Sequence, residues 1–301
     1  MSLIEQKNVT KSFGGVQELK DVNLSVAQGE IVAIVGFSGA GKTTLVSIIA
    51  GLLKPDSGAV LFEGREMDGP GPDRGLVFQN YSLLPWLTVF ENVKLAVDQV
   101  LAGKSEAERV AHTEEFVEMV NLTPARNKRP GELSGGMRQR VSVARTLAMQ
   151  PKVLLCDEPL GALDALTRAN LQDEIARIRK LHNQTIVLIT NDPDEGIYLA
   201  DRIIPLTAGP GATLGPSFTV DIPHPRDRKA VNHDDHFKQL RFDVTAFLLG
   251  SKQDRNTTIT RQLVLPDVEP EDLNIPRSMM NNRRLPRRSS EVREEKVGVD
   301  A

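Results

Sequence analysis

A glycine-rich stretch with one lysine, residues 36–43, has the residue types that hold the phosphates of a nucleotide. It fits the pattern G-x-x-x-x-G-K-[ST]. Glycine N–H groups can curve around an anion, the lysine reaches the β- and γ-phosphates, and the threonine hydroxyl can ligate Mg²⁺. The predicted nucleotide-binding residues are Gly36, Phe37, Ser38, Gly39, Ala40, Gly41, Lys42, Thr43 and Thr44.

Two carboxylates, Asp157 and Glu158, follow the apolar run 153–156. Ligands of an open parallel sheet bind at the carboxyl ends of its strands. We therefore expect Asp157 to hold Mg²⁺ through water and Glu158 to polarise the water that attacks the γ-phosphate. Gln79 also ends an apolar run and could reach the metal or a water, although alone it indicates little.

Two further features leave alternatives open. Ser134 followed by Gly135 and Gly136 predicts either a helix start that presents free N–H groups to an anion or an ordinary capped helix. Phe13 could stack on an adenine ring or be a core aromatic, and its spacing does not decide between them.

The surrounding elements predict an α/β fold. Short apolar runs at 31–35, 153–158 and 185–190 read as buried strands that alternate with helices. Residues 202–207 read as a further strand, at an edge because of Pro205. The first 30 residues alternate as strands, and residues from about 80 to 144 form a helical insert, with a capping box at Ser105 and Glu108.

The net charge, the cysteine content and the lengths of the apolar runs narrow the class of protein. A formal net charge of -3 over 301 residues gives no sign of nucleic acid as a partner. The single cysteine, Cys156, excludes an internal disulfide and is expected to be buried. The chain begins without a signal-peptide pattern, and no apolar run approaches the ~20 residues that cross a bilayer. We expect a soluble chain that reaches a membrane only through another polypeptide.

The order and spacing of these motifs resemble the ATP-binding subunit of an ABC-type importer. The resemblance covers about residues 3–210 and includes the segments 133–139 and 161–164. It is closest to the subfamily that imports nitrate, sulfonates and bicarbonate, and the segments 191–202 and 207–212 are most like its nitrate-import member. The resemblance implies a P-loop NTPase (RecA-like) core with an N-terminal antiparallel β subdomain and an inserted helical subdomain, and ATP and Mg²⁺ as cofactors.

The resemblance also implies roles. Phe13 matches the adenine-stacking position, Glu158 the general base, and Asp164 the aspartate that links two ATP sites. Gln79 matches the glutamine that senses Mg²⁺ and touches the membrane subunit, so the implied metal set is Thr43, Gln79 and Asp157. A signature segment caps the ATP of the opposite subunit: Leu133, Ser134, Gly135, Gly136, Met137 and Gln139.

Asn191 departs from the family pattern, which has a histidine that touches the γ-phosphate there. An amide can hydrogen-bond a phosphate but cannot carry a proton as imidazole does. We hypothesise that the site built on Lys42 binds ATP and hydrolyses it slowly, and that a partner subunit carrying the histidine forms the faster site. The alternative is a tolerated substitution with Glu158 still sufficient.

The expected partners are transmembrane permease subunits, a second ATP-binding subunit and, indirectly, a substrate-binding protein, with no nucleic acid. The expected location is peripheral, on the cytoplasmic face of the inner membrane. Nitrate is the expected substrate, nitrite a further candidate, and sulfonate, taurine, bicarbonate or cyanate the alternatives.

A remoter alternative is a soluble ATPase of the same superfamily that acts on DNA or ribosomes, and a third is a regulatory nucleotide binder. The chain has no long coiled coil between its motifs and only one cassette, which argues against the soluble alternative. We expect an ATPase domain at 1–210, an extension packed on it at 211–250, and a disordered tail at 251–301.

Overall fold

The computed structural model describes residues 2–161 and 163–256. The predicted tail therefore lies outside the described residues from position 257 onward. Among the described residues, no helix has the length and apolar character needed to cross a bilayer.

The alternating N-terminal residues form one antiparallel sheet with the order β2-β1-β4-β5. Its strands are β1 (Ser2–Phe13), β2 (Val16–Ala27), β4 (Ser57–Phe62) and β5 (Arg65–Glu66). One face of β1 and β2 buries apolar side chains such as Ile4, Val9 and Val22, while the other face is exposed. This is the pattern of a sheet with one solvated face.

A second sheet, with the order β10-β9-β3-β8-β7-β6, holds the apolar runs. Its strands are β3 (Ile31–Val35), β6 (Arg74–Val77), β7 (Val153–Asp157), β8 (Thr185–Thr190), β9 (Arg202–Pro205) and β10 (Phe218–Thr219). All pairs are parallel except β9 with β10. Every residue of β3, β7 and β8 is buried, as in a sheet covered on both faces. The predicted α/β fold is confirmed.

The predicted edge position of residues 202–207 is wrong in part. The short β10 pairs with Arg202 and Ile203, so β9 is the second strand of the sheet rather than its edge. Pro205, which has no N–H to donate, lies beyond the reach of β10.

Helices connect these strands and extend the fold. They are α1 (Lys42–Ile49), α2 (Val89–Val100), α3 (Glu106–Met119), α4 (Gly135–Leu147), α5 (Ala165–His182), α6 (Pro193–Leu199), α7 (Arg228–Val231) and α8 (Asp235–Asn256). The predicted capping box is present: the Ser105 hydroxyl accepts from the Glu108 N–H, and the Glu108 carboxylate accepts from the Ser105 N–H. Phe116 and Val117 of α3 are buried in the same cluster as Val93 of α2 and Val141 of α4.

The segment after β9 lies against the same core. Phe237, Leu240, Val244 and Leu248 on one face of α8 are buried together with residues of β3 and α5. Phe247 does not belong to this buried face; its ring lies against Gly215, where a Cβ would come within 2.5 Å of it.

One buried cation, Arg226, joins this segment to the core. It is only 7% exposed, and burial lowers the pKa of its guanidinium to about 10. It donates to five backbone carbonyls, those of Ile197, Tyr198, Ala200, Val220 and Ile222. The guanidinium therefore supplies hydrogen bonds to carbonyls that would otherwise be buried without a donor.

We expect Arg226→Met to lower the free energy of unfolding by roughly 1–3 kcal/mol, the range for leaving a buried hydrogen-bond acceptor without its donor. The reason is that the carbonyls lose their donors while methionine keeps the aliphatic volume. Urea unfolding measures the change, with Arg65→Met as the control on the exposed strand β5. A loss below about 1 kcal/mol, the level of an ordinary surface substitution, would show that Arg226 does not anchor this segment.

Candidate nucleotide site

The ends of four parallel strands bring the predicted chemistry to one edge of the sheet. Strand β3 leads into the phosphate loop, β7 ends at Asp157, β8 ends just before Asn191, and β6 ends two residues before Gln79. Because parallel neighbours point the same way, their carboxyl ends meet at the position where such sheets bind ligands.

The phosphate loop has the backbone that an anion cradle requires. Gly39 and Gly41 adopt φ angles of 77° and 88°, in the left-handed region that favours glycine. Gly41 precedes α1, which has no side-chain cap on its first N–H groups. These groups and the positive end of the helix dipole can therefore serve a phosphate. Ser38 and Gly39 are exposed, whereas Gly36 and Ala40 are buried against the core.

Lys42 is 4% exposed and is held from several sides. Its Nζ donates to the carbonyls of Gly36 and Phe37, at 3.0 and 2.8 Å. It also donates to Asn191 Oδ1 at 2.5 Å and lies 3.1 Å from Glu158 Oε1. The ammonium is thus fixed between the phosphate loop and the two residues predicted to face the γ-phosphate.

Asp157 is 5% exposed, and its Oδ1 has no hydrogen-bond partner within the part of the chain that the structure describes. Burial raises the pKa of Asp157, and a hydrogen bond from Thr43 opposes that shift. The carboxylate of Asp157 and the hydroxyl of Thr43 are oxygen ligands of the kind that Mg²⁺ prefers. Mg²⁺ needs few ligands from the protein when the phosphates of a nucleotide supply the remaining ones. No cluster of three or more His, Cys, Asp or Glu side chains that could hold a metal occurs in the described ranges.

Glu158 has an unusual backbone. Its φ is 45°, in the left-handed region that costs a residue with a side chain of the order of 1 kcal/mol or more. Its Oε2 accepts a hydrogen bond of 3.1 Å from Gln79 Nε2. The exposed Gln79 is in turn held near helix α4, because Arg145 donates to the carbonyls of Tyr81 and Ser82 at 3.2 and 2.7 Å. Lys42, Gln79, Glu158 and Asn191 therefore form one connected group.

Ser134 and Asp164 lie close together at a second place. The Ser134 hydroxyl caps α4 by accepting from the Met137 N–H at 3.3 Å. Asp164 caps α5 by accepting from the Thr167 N–H at 3.0 Å. Hydrogen bonds from the hydroxyl and the N–H of Thr167 lower the pKa of Asp164. Thr167 also contacts Gly136, where an added Cβ would lie 2.0 Å from Thr167 Cγ2. The glycine is thus needed for close contact between α4 and α5.

The other predicted signature residues differ in exposure. Ser134 is exposed and Gly135 and Met137 are half-buried, but Leu133 is 6% exposed and Gln139 fully buried. Both amide atoms of Gln139 lack a hydrogen-bond partner within the described residues. The structure therefore does not bring Gln139 to the surface beside Ser134.

Phe13 is 47% exposed, and the Lys11 ammonium lies 5.5 Å from its ring centroid. This exposure excludes the core-aromatic alternative. Cys156 is buried as predicted, and burial raises the pKa of its thiol to about 12.

Comparison with known proteins agrees with this geometry. The family model described as ABC transporter matches residues 19–161. The nitrate transport protein NasD of Klebsiella oxytoca is 49% identical over 251 residues, which are 82% of this chain and 96% of NasD. The chain belongs to the ABC transporter family.

The cassette therefore binds and hydrolyses ATP as members of this family do. It is also 52% identical over 251 residues to the bicarbonate transport ATP-binding protein CmpC of Synechocystis sp., covering 82% of this chain but only 38% of CmpC. Among solved structures, a dimer of the ATP-binding cassette MJ0796 bound to ADP and Pi is 32% identical, with a TM-score of 0.65 over 73% of this chain and 100% of that one.

Sequence reasoning missed three residues behind the nucleotide site of this cassette. The buried Thr190 and Glu195 and the half-buried Arg168 form a cluster beside Asn191. No motif signals it, because its members come from β8, α6 and α5 and meet only when those elements pack. Arg145, which anchors the Gln79 loop, was missed for the same reason.

Proposed function

We propose that this cassette is the ATP-binding subunit of a membrane importer for a small anion, with nitrate as the substrate. The observation that carries the proposal is the connected group of Lys42, Gln79, Glu158 and Asn191 at the sheet edge. The nitrate assignment is supported by the near full-length match to NasD. Bicarbonate is the second candidate because the CmpC relative is slightly more identical.

In this proposal the phosphates of ATP occupy the cradle of residues 36–44, and Phe13 stacks on the adenine. Thr43, Asp157 and Gln79 would hold Mg²⁺, which would neutralise charge that develops on the phosphate oxygens. The Lys42 ammonium has three N–H groups and already faces four oxygens, and in this proposal the γ-phosphate takes the place of Glu158 Oε1. ATP binding therefore frees the Glu158 carboxylate, which takes a proton from the attacking water. The Asn191 amide donates a hydrogen bond to a γ-phosphate oxygen.

A second ATP-binding subunit would complete the machinery. The start of α4, with the exposed Ser134, the half-buried Gly135 and the buried Gly136, would cover the ATP held by that subunit, with Met137 beside it. Asp164, which is exposed next to this helix start, would link the two sites. The dimeric MJ0796 cassette supports a two-subunit arrangement for this fold.

Asn191 suggests that the two sites are unequal. It holds Lys42 through its amide oxygen and cannot exchange a proton with phosphate or water. We therefore propose that the site on Lys42 turns over slowly and that the partner is a different chain carrying a histidine at the matching position.

A surface groove supports attachment to a permease subunit. It has a volume of about 390 Å³ and is lined by residues of α2, β6 and the segments after α1 and α4. Three of the residues that line it, Leu52, Leu95 and Phe78, are 53%, 41% and 37% exposed to solvent. Phe78 precedes Gln79, so an apolar helix of the permease seated here would contact the loop that reaches Glu158. This attachment would hold the cassette at the cytoplasmic face of the inner membrane.

We expect Leu52→Asp to release the cassette from the permease, because a carboxylate would be buried without a partner at the interface. The measurement is the fraction of the cassette that co-purifies with detergent-solubilised permease. Leu249→Asp is the matched control, since Leu249 is 52% exposed but lies on α8. Equal retention of both variants would show that the groove is not the attachment site.

The proposed function is tested in the native cell. A strain lacking this chain should lose uptake of labelled nitrate, and the wild-type chain should restore it. Uptake of bicarbonate, a sulfonate and cyanate in the same strain distinguishes the alternative substrates. Affinity purification from solubilised membranes followed by mass spectrometry should recover a multi-span permease and a second ATPase. Recovery of ribosomes or DNA instead, with normal uptake of every anion, would refute the proposal.

A further inference from the structure

Glu195 is a buried carboxylate that the mechanism above does not use. It lies on α6 and is 6% exposed. Burial raises its pKa, and the negative charges of Asp192 and Glu158 act in the same direction, while Thr190 and Arg168 oppose the shift. Burying a carboxylate is costly unless partners compensate for it, so the cluster around Glu195 calls for a reason beyond packing.

The contacts of Glu195 fix the backbone around Asn191. The Thr190 hydroxyl donates to Glu195 Oε2 at 2.5 Å and accepts from the Asp192 N–H at 3.0 Å. Glu195 thereby determines where the Thr190 hydroxyl points, and that hydroxyl holds the residue after Asn191. A shift of Glu195 would move the amide that contacts Lys42.

Arg168 connects the same carboxylate to the loop before α5. Its Nε lies 3.4 Å from Glu195 Oε1 without hydrogen-bond geometry, and its Nη2 donates at 3.4 Å to the carbonyl of Leu163. Leu163 is the neighbour of Asp164. Both Arg168 contacts are long, whereas the Thr190–Glu195 bond is short, so a small movement of the Asp164 loop would alter the Arg168 contacts first.

A small cavity lies between this cluster and the general base. It has a volume of about 180 Å³ and is lined by Glu158, Gly161, Arg168, Asn191 and Glu195, together with Thr190 and Asp192. Its polar lining and size suit a few water molecules. The position of Arg168 and Glu195 therefore also shapes the space in front of the base.

We propose that Arg168 and Glu195 are a positioning pair that transmits the position of the Asp164 loop to Asn191. The inference rests on the proposed function in that Asp164 faces the second subunit and Asn191 the γ-phosphate. When the partner subunit binds against the Asp164 loop, the shift of Leu163 moves Arg168, and the shift of Arg168 moves Glu195. Residues 190–192 then move with Glu195. In this way the arrival of the second subunit is coupled to the binding of ATP in the first, through the residues that face the γ-phosphate.

The test compares steady-state ATP turnover by the purified complex of this chain, or its variants, with the partner ATPase. The partner carries alanine at its matching lysine, so that turnover reports the site on Lys42. Arg168→Met removes the link to Glu195, and Glu195→Gln removes the charge while its amide oxygen can still accept from Thr190. For each we expect kcat to fall roughly tenfold, within the 5- to 150-fold range typical of coupling between sites, with KM for ATP unchanged. The double variant should be no worse than either single variant, because both break one link.

Arg177→Met is the matched control. Arg177 lies on the same helix, pairs with Glu174 of that helix and donates to the carbonyl of Met119 at the end of α3. Neither partner belongs to the cluster around Glu195, so loss of Arg177 should leave kcat unchanged. Arg168→Lys keeps the charge beside Glu195 and should recover part of the loss. If Arg168 and Glu195 acted only in folding, their substitution would lower the melting temperature but leave kcat per folded molecule and kcat/KM unchanged.

Hydrogen exchange gives a second measurement that does not depend on turnover. In the complex of the wild-type chain with the partner ATPase and Mg-ATP, peptides covering 163–168 and 190–196 should become protected together. In the complex of Arg168→Met, the peptide covering 190–196 should stay unprotected while the phosphate-loop peptide is protected. Unchanged kcat in both single variants, or unchanged protection of 190–196 in Arg168→Met, would overturn the inference while leaving the transport proposal intact. Normal uptake of every anion by the strain that lacks this chain, with the coupling preserved, would do the reverse.

Discussion

Glu158→Gln is expected to reduce ATP turnover by the full-length chain roughly 100- to 10,000-fold, the range for loss of a positioned general base. Nucleotide affinity should be kept or slightly increased. Glutamine retains an oxygen that can accept from Lys42 and a shape that fits beside Gln79. Because it is neutral, the γ-phosphate does not have to displace a carboxylate charge from Lys42. Phosphate release measures turnover, and a fluorescent ATP analogue measures binding.

Glu118→Gln is the control for this prediction, because Glu118 is an exposed carboxylate on α3. It should leave both quantities unchanged. If Glu158→Gln kept more than a third of the wild-type turnover with normal binding, another group would have to take the proton, and the assignment of the base would be wrong.

The second large effect concerns the purified complex with its partner ATPase. Ser134→Arg in this chain should lower turnover of the complex roughly 100- to 1,000-fold, the cost of losing a preorganised donor at a developing charge. Arginine would fill the exposed helix start that, in our proposal, covers the ATP of the faster site. Lys42→Ala should cost much less in hydrolysis, because it damages only the slow site beside Asn191.

Turnover of the complex is measured for both variants under the same conditions. Alanine at the matching lysine of the partner is the reference for the faster site. If Lys42→Ala stopped hydrolysis as fully as that partner variant, the two sites would be equivalent, and Asn191 would be a tolerated substitution.

Local sequence patterns predicted the features that depend on a few neighbouring residues. The phosphate loop, the caps at Ser105 and Ser134 and the buried strands follow from spacing and side-chain type, and the structure has them. The position of Asp157 and Glu158 at the ligand-binding edge followed from the rule that ligands of a parallel sheet bind at the carboxyl ends of its strands, whereas Asn191 was placed there only through the family resemblance.

Features that depend on contacts between distant elements could not be predicted. Gln139 stands two positions after Met137, about 200° further round the helix, and this rotation turns it into the core. The exposure of Phe13 depends on how β1 and β2 pair. The Arg168–Glu195 link joins helices α5 and α6, and neither residue has a local pattern that marks it.

The most direct test of the central claim is ATP-dependent uptake by proteoliposomes that contain the permease purified together with this cassette. Labelled nitrate should accumulate when ATP is supplied on the side of the cassette together with the substrate-binding protein. Accumulation should disappear with Ser134→Arg, and bicarbonate should compete weakly. Hydrolysis of ATP without accumulation of nitrate or bicarbonate, or uptake that persists without the cassette, would contradict the account.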